Sequence, residues 1–360
     1  MNTPQVPLTN IKGEIVKPAC IYPGSYATRV PIINAVQSLA ANKNNYSSFY
    51  LDTQEGQSND ILNTEGDDHH QGLARTHKLS DGSVYFFLSH SELDSGDKGI
   101  IMQFRYAGPI NGDHILQTSP LTIAPLKQLL YITEQHPADI EFLGDVNHAD
   151  AGYLFVTEEY VLRTVAVYYW EPNHDLKWIG NIYKGSTTQH DPNFVFIDKV
   201  GDDYFLGIAS NNTKKGTLYS AKYNELFPVC TKGNMNLDAF KEVSTFSFPV
   251  SNSPSQVKLV HDSTGAWFLL AYRSSDEGDP NSDDYIDIYN VHFNPFSISS
   301  SPISGTHIYL PHGDTSFTNT GTHYVESSGR LLVSSSYRWS EDESNTAGYV
   351  SRVDECPSNL

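Results

Sequence analysis

Five segments of this chain repeat one order of apolar and polar positions. Each opens with a polar cluster and an extended run, turns, and continues into a strand that is almost entirely apolar. These second strands have the sequences VYFFLSH, YLFVTEEY, YFLGIAS, WFLLAYRS and RLLVSSSYR. Continuous apolar runs of this length are typical of strands that are buried on both faces.

A third strand with more alternation follows each pair: GIIMQFRY, VAVYYWE, GTLYSAKY, YIDIYNVHF and GYVSRV. Four repeats have a candidate fourth strand: HILQTSPLTI, KWIGNI, FKEVSTFSF and THIYL. The fifth repeat ends at the C-terminus, where SSFYLD, residues 47–52, is the segment that could complete the blade and close a ring.

Four-stranded repeats that begin near residues 69, 136, 190, 253 and 319 predict an all-β, five-bladed β-propeller. We expect a single domain over residues 1–360, with residues 1–45 as an N-terminal arm. A β-sandwich or a pair of smaller β-domains is the alternative for short strands joined by Gly, Asn and Asp turns.

Charge narrows the range of partners. The formal net charge is −19, and charged residues make up 18% of the chain. An acidic surface repels phosphate backbones and anionic lipids, so we expect neither nucleic acid nor a membrane as partner. We expect a monomer.

The cysteines leave two interpretations open. A Cys20–Cys356 disulfide would suit a ring whose ends meet and would favour an oxidising compartment. The alternative is that Cys20, Cys230 and Cys356 are all buried free thiols. No signal segment opens the chain. We expect an extracellular or periplasmic location if the first Met was added to a mature chain, and a cytoplasmic one otherwise.

The propeller fold predicts where a site would lie. The starts of the inner strands and the links between second and third strands meet on one face around the channel. Three consecutive blades place His70, His136 and His190 there, and His90 lies on the same face. The candidate substrate-binding residues of this face are His69, Gln71, Arg163, Asn193, Gln256, Arg273 and Arg338.

Imidazoles that titrate near neutral pH suit proton transfer. Elimination next to a uronate carboxyl group needs a base, an acid for the leaving oxygen, and a cation for the carboxylate. His70 and His90 are the candidates for the base and its partner. Tyr160 or Tyr272 would donate a proton, and Arg163 or Arg273 would bind the carboxylate.

The segment HHQGLARTHKLSDGSVYFFLSH resembles the β-propeller polysaccharide lyases of the ulvan-lyase type. It has a His at the start of the first strand of a blade and another at the end of the second. The resemblance implies β-elimination by His, Tyr and Arg on one face, and some members carry a structural metal. This chain has five recognisable repeats where those enzymes have seven. The predicted partner is an anionic or neutral polysaccharide.

Other functions fit the same ring of side chains. A divalent metal such as zinc or calcium, bound by His70, His136 and His190 with Asp139 or Asp191, would support hydrolysis or oxidation. In a glycosidase, Asp139, Glu158 and Asp191 would supply an acid and a base or nucleophile. A lectin is the third possibility, although its blades would be expected to repeat the same site residues.

Overall fold

Almost all of the described chain is β-structure. The computed structural model describes residues 26–41, 47–52, 69–91, 99–117, 121–123, 126, 130–132, 136–159, 164–182, 192–210, 212–229, 231–249, 254, 256–274, 284–308, 320–339 and 350–358. These residues form five large sheets, antiparallel except for one short parallel strand, and one small hairpin. The predicted five-bladed propeller of four-stranded blades is confirmed.

Each sheet is one blade, and its strands follow one another from the channel outwards. Blade one contains His69–Arg75, Val84–Ser91, Gly99–Tyr106 and Leu130–Ile132. Blade two contains His136–Gly144, Gly152–Glu159, Thr164–Trp170 and Lys177–Asn181. Blade three contains Phe194–Val200, Asp203–Ser210, Lys215–Lys222 and Lys241–Ser247.

The last two blades each contain five strands. Blade four contains Gln256–His261, Trp267–Ser274 and Asp284–Phe293, and its third strand pairs with both Phe296–Ile298 and Ser304–Ile308. Blade five contains Thr320–Val325, Leu331–Trp339, Val350–Pro357, Ser47–Asp52 and the short parallel strand Thr122–Ile123.

Five hydrophobic clusters lie between successive blades, one at each junction. The second strands contribute alternate residues to the clusters on their two sides. In blade one, Phe86 and Leu88 pack towards blade five, whereas Tyr85 and Phe87 pack towards blade two. This two-sided burial explains why the second strands are continuously apolar.

The five inner strands pack against one another in a circle. The inner strand of blade one contacts those of blades two and five, and the inner strand of blade four contacts those of blades three and five. Blades one and two approach most closely at Gly72, where a Cβ atom would lie 2.4 Å from the carbonyl oxygen of Ala138. Only glycine fits this position without separating the two strands.

The segment Ser47–Asp52 lies antiparallel to Val350–Pro357, with Phe49 opposite Val353. Phe49 is fully buried in the cluster between blades five and one. The N-terminal segment therefore supplies the fourth strand of the last blade. That this pairing is what closes the ring stays a prediction, as does the single domain over residues 1–360.

The fourth strand of blade one differs from the expected HILQTSPLTI, residues 114–123. Leu130–Ile132 takes that place, while His114–Ile115 forms a hairpin with Ile110–Asn111 and Thr122–Ile123 joins blade five. The reason is competition from blade five, because the Glu355 carboxylate accepts the N–H of Ile115 at 2.9 Å.

The described part of the N-terminal arm crosses two blades. The helix Ile32–Ala41 packs into the cluster between blades four and five, and the Asp262 carboxylate accepts the N–H of Ile32 at 3.1 Å. No helix in the described residues is long and apolar enough to span a membrane.

The other helices are short. Tyr223–Leu226 is α-helical, and Leu237–Ala239 forms a 3-10 turn. Cys356 is a buried free thiol beside the carbonyl of Leu39, which favours the interpretation without a bridge; Cys20 and Cys230 lie outside the described residues.

Candidate functional site

The central channel contains a polar cavity. Its upper end is defined here as the side where the inner strands begin, and its lower end as the side where they finish. A cavity of about 110 Å³, the axial cavity, lies at the lower end and is lined by residues from all five blades. Its polar lining comprises Tyr26, Arg75, His77, Glu141, Asp198, His261, Thr322, His323 and Tyr324.

A buried lysine links the middle of the channel to this cavity. The Lys258 ammonium group lies 2.9 Å from Asp139 Oδ1 and 3.0 Å from Glu141 Oε2, and it donates to the Ile140 carbonyl at 2.6 Å. The side chain of Lys258 is 2% exposed and that of Asp139 is fully buried. All three ammonium protons therefore have an acceptor, as burial of a charge requires.

Asp139 is held by two further donors. Gln256 Nε2 donates to its Oδ1, and the Val195 N–H donates to its Oδ2 at 3.1 Å. The Gln256 amide also joins the backbone of Leu73 in blade one. Asp139, Glu141, Gln256 and Lys258 form the channel network, which connects four blades.

The network contains two carboxyl groups and one ammonium group. Burial raises the pKa of Glu141 to about 7, although Lys258 acts in the opposite direction. Burial also raises the pKa of Asp139, again against Lys258. Because one cation can neutralise one carboxylate, the second carboxyl group keeps its proton more readily. Glu141 borders the axial cavity and is the group placed to exchange that proton.

A second carboxyl group reaches the cavity from blade three. Asp198 Oδ2 lies 3.8 Å from His261 Nδ1, and the His261 ring stacks on Trp267 with centroids 4.4 Å apart. The negative charge of Asp198 contributes to the raised pKa of Glu141. Two carboxyl groups from different blades therefore line the same cavity, and the charge of one affects the pKa of the other.

Arg75 forms another part of the cavity wall. Its Nε lies 3.0 Å from Glu355 Oε2 with both side chains fully buried, and its Nη2 donates to the Asp113 carbonyl at 2.6 Å. The guanidinium lies 5.2 Å from the centre of the Tyr324 ring. The guanidinium therefore binds a carboxylate and a carbonyl of the protein and lies against the Tyr324 ring.

His323 and Tyr272 close the wall between blades four and five. The Tyr272 hydroxyl lies 3.0 Å from His323 Nδ1, and burial lowers the pKa of His323 to about 3, so the imidazole is neutral. Burial raises the pKa of Tyr272 well above its usual value. Tyr272 has no exposed surface, so its predicted role as an acid would require a substrate to reach this hydroxyl from the channel.

Only some of the residues predicted for the upper end fall in described positions. His70 and His90 are register partners on adjacent strands, and Asp139 and Gln256 are in direct contact. The residues whose side chains or whole positions lie outside the described part are His69, His70, Gln71, His90, His136, Tyr160, Arg163, His190, Asp191 and Arg338.

The remaining predicted residues are separate from the channel network. The amide of Asn193 donates to Glu159, and Arg273 Nε lies 2.7 Å from Asp287 Oδ2 with its guanidinium over the ring of Tyr285. The roles in substrate binding that the sequence suggests for Asn193, Gln256 and Arg273 stay predictions.

The metal interpretation gains nothing from the described side chains. Among them no group of three or more His, Cys, Asp and Glu is arranged to bind a metal. Both oxygens of Asp139 accept hydrogen bonds, and the ammonium of Lys258 at 2.9 Å would repel a cation. The other four predicted ligands lie outside the described side chains.

Sequence analysis missed Glu141, Lys258 and Asp198. Each lies inside an inner strand, whereas the predicted site residues lie mostly at the strand starts and in the links between second and third strands. The available signal was a charged residue at every second position, as in Asp139 and Glu141 of HPADIEFLGD. Side chains two residues apart share a face of a strand, and on an inner strand that face lines the channel.

Comparisons with known proteins complete the description. No protein-family model matches the chain, and no curated protein matches it in sequence. An exo-β-1,3-galactanase from Phanerochaete chrysosporium is 14% identical, with a TM-score of 0.46 over 79% of this chain and 59% of that one. An exo-β-1,3-galactanase from Clostridium thermocellum is 12% identical, with a TM-score of 0.44 over 80% and 58%.

A mannose phosphorylase from Leishmania mexicana is 10% identical, with a TM-score of 0.45 over 90% of this chain and 92% of that one. The chain thus spans less than two thirds of the length of the two galactanases. The resemblance to ulvan-lyase-type enzymes stays a prediction.

Proposed function

We propose that this protein is a carbohydrate-active enzyme that hydrolyses a glycosidic bond at the axial cavity. The observation that carries the proposal is Glu141, a carboxyl group on the cavity wall whose pKa is raised to about 7. A carboxylic acid that keeps its proton near neutral pH is suited to protonate the leaving oxygen of a glycoside.

Glycoside hydrolysis needs a second carboxylate as base or nucleophile. Asp198 is the candidate, because it lines the same cavity from the next blade and its charge acts on Glu141. In this scheme Glu141 gives its proton to the departing sugar oxygen as the glycosidic bond breaks, and Asp198 takes a proton from the water that attacks the anomeric carbon. Proton exchange with solvent then restores both carboxyl groups. Asp139 accepts hydrogen bonds from Lys258, Gln256 and the Val195 N–H, which favour its charged form, so that Glu141 on the cavity wall is the carboxyl group placed to carry the proton.

The cavity also suits a sugar in size and lining. The cavity, about 110 Å³ in volume, can admit several water molecules or a small polar ligand such as one sugar unit. Carboxylate and hydroxyl groups can bind sugar hydroxyls, and Tyr26, which is 36% exposed, supplies an aromatic ring beside them.

The lyase activity predicted from the sequence is the second candidate. It is favoured by the register of blade one, which pairs His70 with His90 on adjacent strands at the upper end. A base and its partner in β-elimination need such proximity. This candidate places the chemistry at the opposite end of the channel from Glu141.

The test measures both reactions on one set of neutral and uronate polysaccharides. New reducing ends without absorbance near 235 nm indicate hydrolysis, whereas absorbance near 235 nm reports the unsaturated product of elimination. Glu141→Gln should reduce hydrolysis by roughly 10²- to 10⁴-fold, the usual loss for a general acid. Glu242→Gln, an exposed carboxyl group on an outer strand, is the matched control and should be unaffected.

The outcomes separate the candidates. Hydrolysis that survives Glu141→Gln would refute the assignment of the acid. Elimination that is lost in His70→Ala but kept in Glu141→Gln would support the upper-end site instead. Sugar binding without turnover on any substrate would identify a lectin, and elemental analysis of the active protein decides whether a metal is bound.

A further inference from the structure

The N-terminal arm contributes a wall to the axial cavity. Tyr26 lines the cavity with the ends of the five inner strands, although it lies far from all of them in sequence. Tyr26 is 36% exposed, so it is not enclosed by the other described residues.

Backbone hydrogen bonds at Thr28 and Arg29 attach the arm to the propeller. The Thr28 N–H donates to the His261 carbonyl at 3.0 Å, and the Arg29 N–H donates to the Gly329 carbonyl at 2.9 Å. Thr28 is fully buried and pairs with Asp262 in a parallel bridge. The arm therefore joins the lower turns of blades four and five, immediately beside the cavity.

The turn of blade five at Gly329 leaves space for the backbone of the arm. Gly329 has φ +82°, a conformation that other residues rarely adopt, and a Cβ atom there would lie 2.7 Å from the Arg29 backbone nitrogen. Thr28 donates its N–H to the carbonyl of His261, and His261 also lines the cavity. The arm and the cavity thus share residues.

We infer that Tyr26 is a sugar-binding residue of the axial cavity, held in place by the arm and stacking on the ring that occupies the site. The inference rests on the proposed function for the class of ligand, a pyranose or furanose sugar. An exposed aromatic face beside carboxylates is the arrangement that binds the apolar face of a sugar while its hydroxyls reach acceptors.

The inference is tested by binding, independently of turnover. The probes are D-glucose, D-galactose, D-mannose, D-xylose and D-glucuronate, measured by saturation-transfer NMR and then by calorimetric titration of the best binder. Tyr26→Ala should weaken binding about five- to tenfold, the size of a lost aromatic contact. Tyr26→Phe keeps the ring and should bind as the wild type does.

Three further variants distinguish the contribution of the tyrosine ring from that of the arm and from non-specific binding to exposed aromatic groups. Arg29→Pro removes the N–H that binds Gly329 and should weaken binding as Tyr26→Ala does, whereas Arg29→Ala keeps that N–H and should bind normally. Trp178→Ala removes a 59% exposed aromatic group on the outer strand of blade two and should have no effect.

Unchanged thermal midpoints show that the variants fold. Equal sugar binding by Tyr26→Ala and the wild type would overturn the inference, and so would the absence of binding to any of the five sugars. Binding that depends on Tyr26 in a protein that cleaves no polysaccharide would uphold the inference while the proposed hydrolysis fails.

Discussion

Replacing Lys258 with methionine should be among the most destabilising single changes in the channel. The side chain is 2% exposed, and its ammonium group is the cation that Asp139 and Glu141 share. Methionine has a similar length and fills most of the same space, so the change removes charge with little cavity formation. Asp139, whose side chain is fully buried, would be left as an unpaired charge.

The expected loss is about 3–5 kcal/mol of unfolding free energy, the usual cost of breaking a buried ion pair by removing one partner. It should be largest above neutral pH and shrink on acidification. Without the ammonium group both carboxyl groups prefer to be protonated, and at low pH they can be neutral in the folded state. The pKa of Glu141 should rise further above its present value of about 7.

The assay is urea unfolding of wild type and Lys258→Met at several pH values between 5 and 8. The matched control is Lys222→Met, because Lys222 lies 2.7 Å from Asp203 but is 58% exposed, and this change should leave the midpoint unaltered. Equal midpoint shifts for the two variants, or a Lys258→Met loss that does not depend on pH, would refute the reasoning about the channel network.

Three other changes probe the packing and the arm. Gly72→Ala should cost about 3 kcal/mol through backbone overlap with Ala138. Gly82→Ala, whose added Cβ meets nothing within 4 Å but whose φ is +83°, should cost only about 1–2 kcal/mol of backbone strain, and urea unfolding compares the two. Burial lowers the pKa of His323 from 6.5 to about 3 in the folded protein, so the free energy of unfolding of the wild type should fall as the pH drops from 6.5 towards 3. Thermal scans of His323→Gln should lack this part of the pH dependence. Gly329→Ala should speed amide exchange in the helix Ile32–Ala41, and unchanged exchange would count against the anchoring of the arm.

The sequence was most informative where burial acts on both sides of a strand. The runs VYFFLSH and YLFVTEEY have no polar alternation because their residues pack into two inter-blade clusters at once. Short outer strands carry no such signal. Leu130–Ile132 is three residues long, and its place in blade one follows from the neighbouring strand and not from its own composition.

The site was harder to predict, for a reason of geometry. Loops at strand starts attract attention because they are polar in sequence, whereas Glu141 and Lys258 each stand among apolar residues of an inner strand. Their function depends on distances between blades, which a single strand does not reveal. The sequence contains even less indication of Tyr26, because its position at the cavity depends on hydrogen bonds between the arm and the turns of blades four and five.

The channel network makes stability and chemistry depend on the same groups, and a combined substitution separates the two. Lys258→Met combined with Asp139→Asn and Glu141→Gln removes the cation and both carboxyl groups together. Replacing a whole buried ionic cluster by neutral groups is often close to neutral for stability, whereas breaking it is costly. The triple variant should therefore recover most of the stability that Lys258→Met loses, yet show no hydrolysis, because no protonated carboxyl group faces the cavity. A triple variant that is both stable and active would separate the network from the reaction and assign the acid to another residue.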